Sequence, residues 1–296
     1  MLKEILIKSV KWKVWTWCVP SLGGLVLILM FGSNYFNLDI KTSILLGVIS
    51  LITLWLFRFL YLLCEALIKY CHNTFIDSIW GDAIVELKNA YSEIHSLRKQ
   101  EDISDEEFIT VMVKLCDTLK KIFDKKTKAD CCVSIKVPIS SGDNLEALEL
   151  YNLCRDSSHK GRDTDQYRKI KHRIIANTAF SKIVIKILRG NQKHLAYVNN
   201  NIADSPDYEN TSRECYANGV LPYNSELVYP IVPIKGNETK ERDLKGFICI
   251  DCNQSDMFDE NRYDIPMVQG VADGIYDLFT RRNNGRLRKN GCYRTK

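Results

Sequence analysis

The chain has 296 residues and a formal net charge of +5, which suits one sizeable domain plus a smaller element. Its eleven cysteines are odd in number and irregular in spacing, which excludes a disulfide framework and fits a reducing compartment. A mean hydropathy of −0.17 conceals a first quarter in which the apolar residues are concentrated.

Residues 14–32 carry no charge and match the length that crosses a hydrocarbon core of about 30 Å. Pro20, Gly23 and Gly24 within them are tolerated in membrane helices, and Trp12, Trp15 and Trp17 resemble an interfacial belt. Residues 44–64 form a second apolar run that only Arg58 interrupts, placed where its side chain can snorkel to the interface. No small-residue cleavage site ends the first run, so residues 1–64 read as a two-transmembrane-helix hairpin. Lys3, Lys8, Lys11 and Lys13 precede it and Lys69 follows, whereas the connecting loop holds only Asp39 and Lys41. The positive-inside rule then predicts a multi-pass protein of the inner (cell) membrane with both termini cytoplasmic.

Residues 65–103 continue as a helical connector, with Leu87, Ala90, Tyr91, Ile94 and Leu97 on one amphipathic stripe suited to pairing with a second copy. A further helix is predicted from Ser104, which with Glu107 forms a capping-box pattern ahead of Phe108, Val111, Met112, Leu115, Leu119 and Ile122. Strand patterns follow at 131–139, 145–154, 225–234 and 246–251, with a helix at 177–188 between the pairs and an amphipathic helix at 260–281. This is an α+β order. Residues 282–296 form a basic tail containing Arg282, Arg286, Arg288, Lys289, Arg294 and Lys296.

The run ELVYPIVPI (226–234), the run LKGFICIDC (244–252), the following Met257, Phe258 and Asp259, and the closing helix together resemble a GAF domain, the small-molecule sensing fold related to PAS. NTAFSKIV at 177–184 fits a helix over the pocket of such domains. The resemblance covers residues 104–281. It implies an antiparallel sheet flanked by helices, with a ligand cleft under its loops, and it does not identify the ligand.

The chemistry-bearing residues divide unevenly. Cys249 and Cys252 make a CxxC on a predicted strand with no second pair, so core packing is expected rather than zinc, and no metal or cofactor is expected. The histidines form no ligand pair, and no Walker loop, nucleophile elbow or dinucleotide fingerprint occurs. The expectation is therefore that the chain is not an enzyme. Residues 155–173 are rich in cations. Over a GAF cleft, Arg162, Arg168, Lys171 and Arg173 would meet a phosphate-bearing ligand, with Asn177, Thr178, Cys215 and Tyr223 completing the site. Nucleic acid is disfavoured as a partner, because aromatic residues are not interleaved with the basic ones.

The function expected is a bacterial, membrane-anchored cytosolic sensor. It would bind a small molecule such as a nucleotide, act as a homodimer or higher oligomer, and signal through its helices in the lipid bilayer or through a partner. In a defence setting it would be a membrane effector. The rival is a GAF-like scaffold that binds no ligand and docks another protein at the membrane.

Overall fold

Between Ile40 and Arg98 no proline interrupts the chain, and the two glycines, Gly47 and Gly81, lie too far from any cap to stop a helix. The computed structural model, which describes residues 39–100, 102–139, 148–164, 171–189, 195–233, 244–260 and 262–289, shows one continuous helix there, α1 (Ile40–Arg98). The second expected span and the connector are therefore one element, since neither Glu65 nor Lys69 breaks the backbone pattern. The hairpin itself is not part of the observed architecture. Its first span, at 14–32, lies outside the described residues, and among the described residues no helix is long and apolar enough to cross a membrane.

The chain divides into two compact units, Met1–Ser78 and Ile79–Lys296. In the first unit, Leu45, Val48, Ile52, Phe57 and Tyr61 are all exposed. At about 100° per residue these positions spread over more than half of the helix circumference, so they form no single core-facing stripe.

The second unit begins with the end of α1 and continues into α2 (Asp105–Thr127). The expected capping box is present. Ser104 Oγ accepts the Glu107 N–H at 3.2 Å, and the Glu107 carboxylate lies 2.8 Å from the Ser104 hydroxyl. Asp105, Glu106 and Glu107 add negative charge at the positive end of the helix dipole. Phe108, Met112, Leu115, Leu119 and Phe123 are buried from this helix.

Six strands follow: β1 (Cys131–Pro138), β2 (Glu149–Arg155), β3 (His172–Arg173), β4 (Tyr197–Asn199), β5 (Ser225–Pro230) and β6 (Phe247–Cys252). Helix α3 (Thr178–Leu188) lies between β3 and β4, and α4 (Asp264–Lys289) closes the chain. All strand pairs are antiparallel, in the order β3-β2-β1-β6-β5-β4. β5 is shorter than the pattern over 225–234 predicts. It stops at Pro230, and Pro233 beyond it has no N–H to extend the ladder. β6 can approach β1 closely because it is preceded by Gly246, where an added Cβ would lie 2.4 Å from the Lys136 carbonyl oxygen.

Strand side chains alternate between faces, and here the two faces differ in kind. Cys131, Val133 and Ile135 of β1, Ile248 and Ile250 of β6, and Leu227 and Tyr229 of β5 share one buried face. The Thr127 hydroxyl lies 3.4 Å from Cys131 Sγ, and Cys116 Sγ lies 4.0 Å from Cys154 Sγ, which places α2 on that face. The Lys126 ammonium forms a buried ion pair with Asp264, a clamp between α2 and the start of α4. α4 in turn meets the end of α1. Tyr91 donates to the Gly270 carbonyl at 3.0 Å, and a Cβ at Gly274 would collide with the Tyr91 ring. The opposite face carries Ser134 and Lys136 of β1, Cys249 and Asp251 of β6, and Glu226 and Val228 of β5.

Candidate functional site

That second face is polar and yet covered. Ser134 and Lys136 are buried, as are Arg155 and Glu226, the last with 5% of its surface exposed. The start of α3 roofs it with Asn177, Ala179 and Phe180, and the segment between β4 and β5 adds Asn210, Ser212, Tyr216 and Tyr223. Together they enclose a narrow cleft of about 460 Å³, its open mouth included. The cleft is thus built but narrow, and an occupant needs side-chain movement to enter.

The roof is held by short-range hydrogen bonds that the sequence places locally. Asn210 caps the 3₁₀ turn Thr211–Cys215 by accepting the Ser212 N–H at 2.8 Å. Its amide nitrogen donates to the Tyr208 and Tyr223 hydroxyls at 2.9 and 2.8 Å. Asn177 ties the roof to the sheet edge: Nδ2 donates to the Arg173 carbonyl at 2.6 Å, and Oδ1 accepts the Thr211 N–H at 3.1 Å. His172 Nδ1 lies 2.8 Å from Thr211 Oγ1. Burial, reinforced by Lys136 and Arg155, holds that imidazole neutral, with its pKa down to about 2.

The electrostatics centre on Glu226. Burial pushes its carboxyl up to about 8, with a hydrogen bond to Tyr208 opposing, Asp251 adding to the rise and Lys136 countering it. Its Oε1 has no hydrogen-bond partner among the described residues. Burial also raises Asp251, against the pull of Arg162 and Arg155. Arg162 Nη1 donates to Asp251 Oδ2 at 3.3 Å, and Lys136 sits over the Phe180 ring at 5.6 Å. Cationic side chains and buried carboxyl groups therefore meet in one cleft, where one carboxyl oxygen has no hydrogen-bond partner among the described residues. Such an arrangement can hold a small polar molecule by complementary hydrogen bonds.

The residues expected from the sequence disperse. Asn177 and Tyr223 line the cleft. Arg162 adjoins it through Asp251 from the 3₁₀ turn Ser157–Arg162. Thr178 Oγ1 accepts the Glu209 N–H at 2.8 Å, fastening α3 to the neighbouring loop. Cys215 is half-buried at the end of its 3₁₀ turn, with its thiol raised by burial. Lys171 pairs with Glu149 at 3.0 Å on the surface, and Arg173 is exposed on the edge strand β3. Arg168 lies outside the described residues.

Lys136, Glu226, Asp251 and Ser134 were missed. The signal that could have found them is a polar residue at alternate positions of three otherwise apolar strands, which conflicts with a wholly apolar buried sheet. A more open groove between α1 and α2, lined by Ser92, Leu97, Gln100 and Val111 among others, has no comparable buried chemistry.

No protein-family model and no curated protein matches the chain. Solved structures do. A type II free methionine-R-sulfoxide reductase from Thermoplasma acidophilum is 19% identical with a TM-score of 0.38, over 59% of this chain and 94% of that one. The GAF domain of an Acinetobacter phosphoenolpyruvate-protein phosphotransferase is 12% identical, TM-score 0.38, over 68% and 98%. A free methionine-R-sulfoxide reductase from Neisseria meningitidis in complex with its substrate is 11% identical, TM-score 0.41, over 69% and 93%. The likeness is to a GAF-like fold alone. The expectation that the chain is not an enzyme is corrected: the matched structures include free methionine-R-sulfoxide reductases, and that absence is therefore not supported. The lack of a catalytic motif in the sequence does not exclude an activity.

Proposed function

We propose that this protein is a membrane-anchored, GAF-like module that binds a small polar ligand in the cleft between the polar face of its sheet and α3. The observation that carries this reading is Glu226 Oε1, buried in the cleft wall without a hydrogen-bond partner among the described residues. Leaving such an atom unsatisfied costs about 1–3 kcal/mol, which a ligand donor group would recover. Lys136, buried in the floor of the same cleft, would face an anionic group of the guest. A compact molecule with a donor at one end and a carboxylate or phosphate at the other fits this pair. A nucleotide satisfies it through its phosphate, and an amino-acid-sized zwitterion does so with less widening of the cleft.

The anchor rests on α1. The apolar side chains exposed on residues 45–61 cost about 25 cal/mol per Å² in water, and a lipid environment removes that cost. In this reading the chain sits in the inner membrane with its GAF-like module on the cytoplasmic side. Self-association would transmit ligand binding, because a ligand shifts an equilibrium by its differential affinity for two states.

Melting of the detergent-purified chain against a panel of nucleotides, amino acids and small carboxylates tests the ligand. A true ligand at 100 times its Kd adds about 2.7 kcal/mol of stability, and Lys136→Met with Glu226→Gln removes that gain. A panel with no hit, or a hit that both variants retain, sinks the assignment of the cleft. Extraction of cell membranes with carbonate tests the anchor: release of the chain into the soluble fraction overturns it.

A further inference from the structure

Beside the cleft, at the far end of the same β1 face, stands a second cluster that the binding reading does not use. Cys132 lies at the start of β1, Asp156 directly after β2, and His159 in the 3₁₀ turn that Asp156 caps. One potential ligand atom from each lies within 4.8 Å of the others. Cys132 and Asp156 are buried, and the His159 side chain is 12% exposed. We propose that Cys132 Sγ, Asp156 Oδ1 and His159 Nδ1 bind a divalent metal ion of the zinc type, with a fourth position left for water or a ligand.

The donor set is the first argument. Sulfur, imidazole nitrogen and carboxylate oxygen together suit zinc, and three protein ligands with an open fourth position are the pattern of accessible zinc centres. A tetrahedral shell at zinc bond lengths separates ligand atoms by roughly 3.3–3.8 Å. His159 Nδ1 now lies 2.8 Å from Asp156 Oδ1, so an ion replacing the shared proton needs them to spread by less than about 1 Å.

The surroundings are the second. Metal-bound histidines almost always donate their other ring nitrogen to a carboxylate, carbonyl or water, and ligating carboxylates are themselves hydrogen-bonded. Both features are present. His159 Nε2 lies 3.1 Å from Asp130 Oδ2, and that carboxylate is steadied by Lys120 at 2.6 Å. Asp156 Oδ2 accepts the Val133 N–H at 3.0 Å, and Oδ1, beside His159 Nδ1, accepts the Ser158 hydroxyl at 2.7 Å and the His159 N–H at 3.1 Å. Arg155 Nη1 donates to Cys132 Sγ at 2.9 Å, which opposes the burial that raises this thiol, and a bound metal would displace the thiol proton. Thiolate and carboxylate together neutralise a divalent ion, with neutral imidazole as the third ligand.

The test uses the full chain in detergent, loaded with Zn²⁺ or Co²⁺ and dialysed. The expected result is about one metal per chain by elemental mass spectrometry, with a sulfur-to-cobalt charge-transfer band for Co²⁺. Cys132→Ser abolishes the band and His159→Gln weakens binding at least about 10-fold. Should Cys132→Ser fail to fold by circular dichroism, Asp130→Asn, a change at an exposed carboxylate, decides instead: it is expected to weaken metal binding about 10- to 100-fold. No retained metal, a cobalt complex without the sulfur band, or unchanged affinity in His159→Gln and Asp130→Asn overturns the proposal.

Discussion

The two faces of the central sheet are both buried, and they are buried by different means. On one, Val133, Ile135, Leu227, Ile248 and Ile250 meet α2 and α4 as ordinary apolar core. On the other, Ser134, Lys136, Glu226 and Asp251 are enclosed by α3 and a hydrogen-bonded loop. The first face is stabilised by removal of hydrocarbon from water, which needs no particular partner geometry. The second keeps its polar atoms dry only by pairing them, and one carboxyl oxygen is left over among the described residues. Stability therefore belongs to the helix-packed face, and in the proposed reading selectivity belongs to the roofed one.

The comparison can be broken most severely at the clamp behind the apolar face. Lys126→Met leaves Asp264 buried without its cation, held by the Asp259 N–H at 2.7 Å. A loss of about 3–5 kcal/mol is expected in chemical denaturation, and a change under about 1 kcal/mol would show that the clamp is relaxed in solution. Next in size is Ile250→Ala at the centre of β6, wholly buried, which should cost about 2–5 kcal/mol. Ligand affinity should survive in the folded fraction, because Ile250 faces away from the cleft.

Glu226→Gln sharpens the contrast through an effect that is absent at low pH and grows as pH rises. Burial raises the folded carboxyl from 4.5 to about 8, so between those values the folded chain holds a proton that the unfolded chain releases. Stability from this group is full below about 4.5 and falls as pH rises towards 8, by at most about 1.4 kcal/mol per unit. The variant has no such slope. The difference between variant and wild type should therefore grow in favour of the variant as pH rises through this window. A difference that stays flat from pH 5 to 8 would show that Glu226 is solvated.

Much of the architecture was readable from residue order. Ser104 and Glu107 announced the start of α2, and the β-rich runs at 131–139 and 246–251 mark strands that the structure has at Cys131–Pro138 and Phe247–Cys252. β3 and β4, of two and three residues, left no periodicity to read, because their pairing depends on the neighbour strand rather than on their own pattern. Asn177 and Tyr223 belong to the cleft, whereas Lys171 and Arg173 from the same basic stretch lie on the exposed sheet edge. Runs of cations mark solvent-facing loops as readily as anion sites, and only the path of the chain separates the two.

What the sequence determined by itself is the kind and order of the elements, since caps, breakers and two- or three-to-four-residue periods act over a few neighbours. Tertiary structure alone decided that Lys136, Glu226 and Asp251 lie inside. Alternation states that one side of a strand is polar, and it cannot state whether water or another part of the chain covers that side. The covering residues, Asn177, Phe180 and Asn210 to Tyr223, come from segments remote from β1, and their arrival converts an ordinary polar face into a dry cleft where every unpaired atom has a cost.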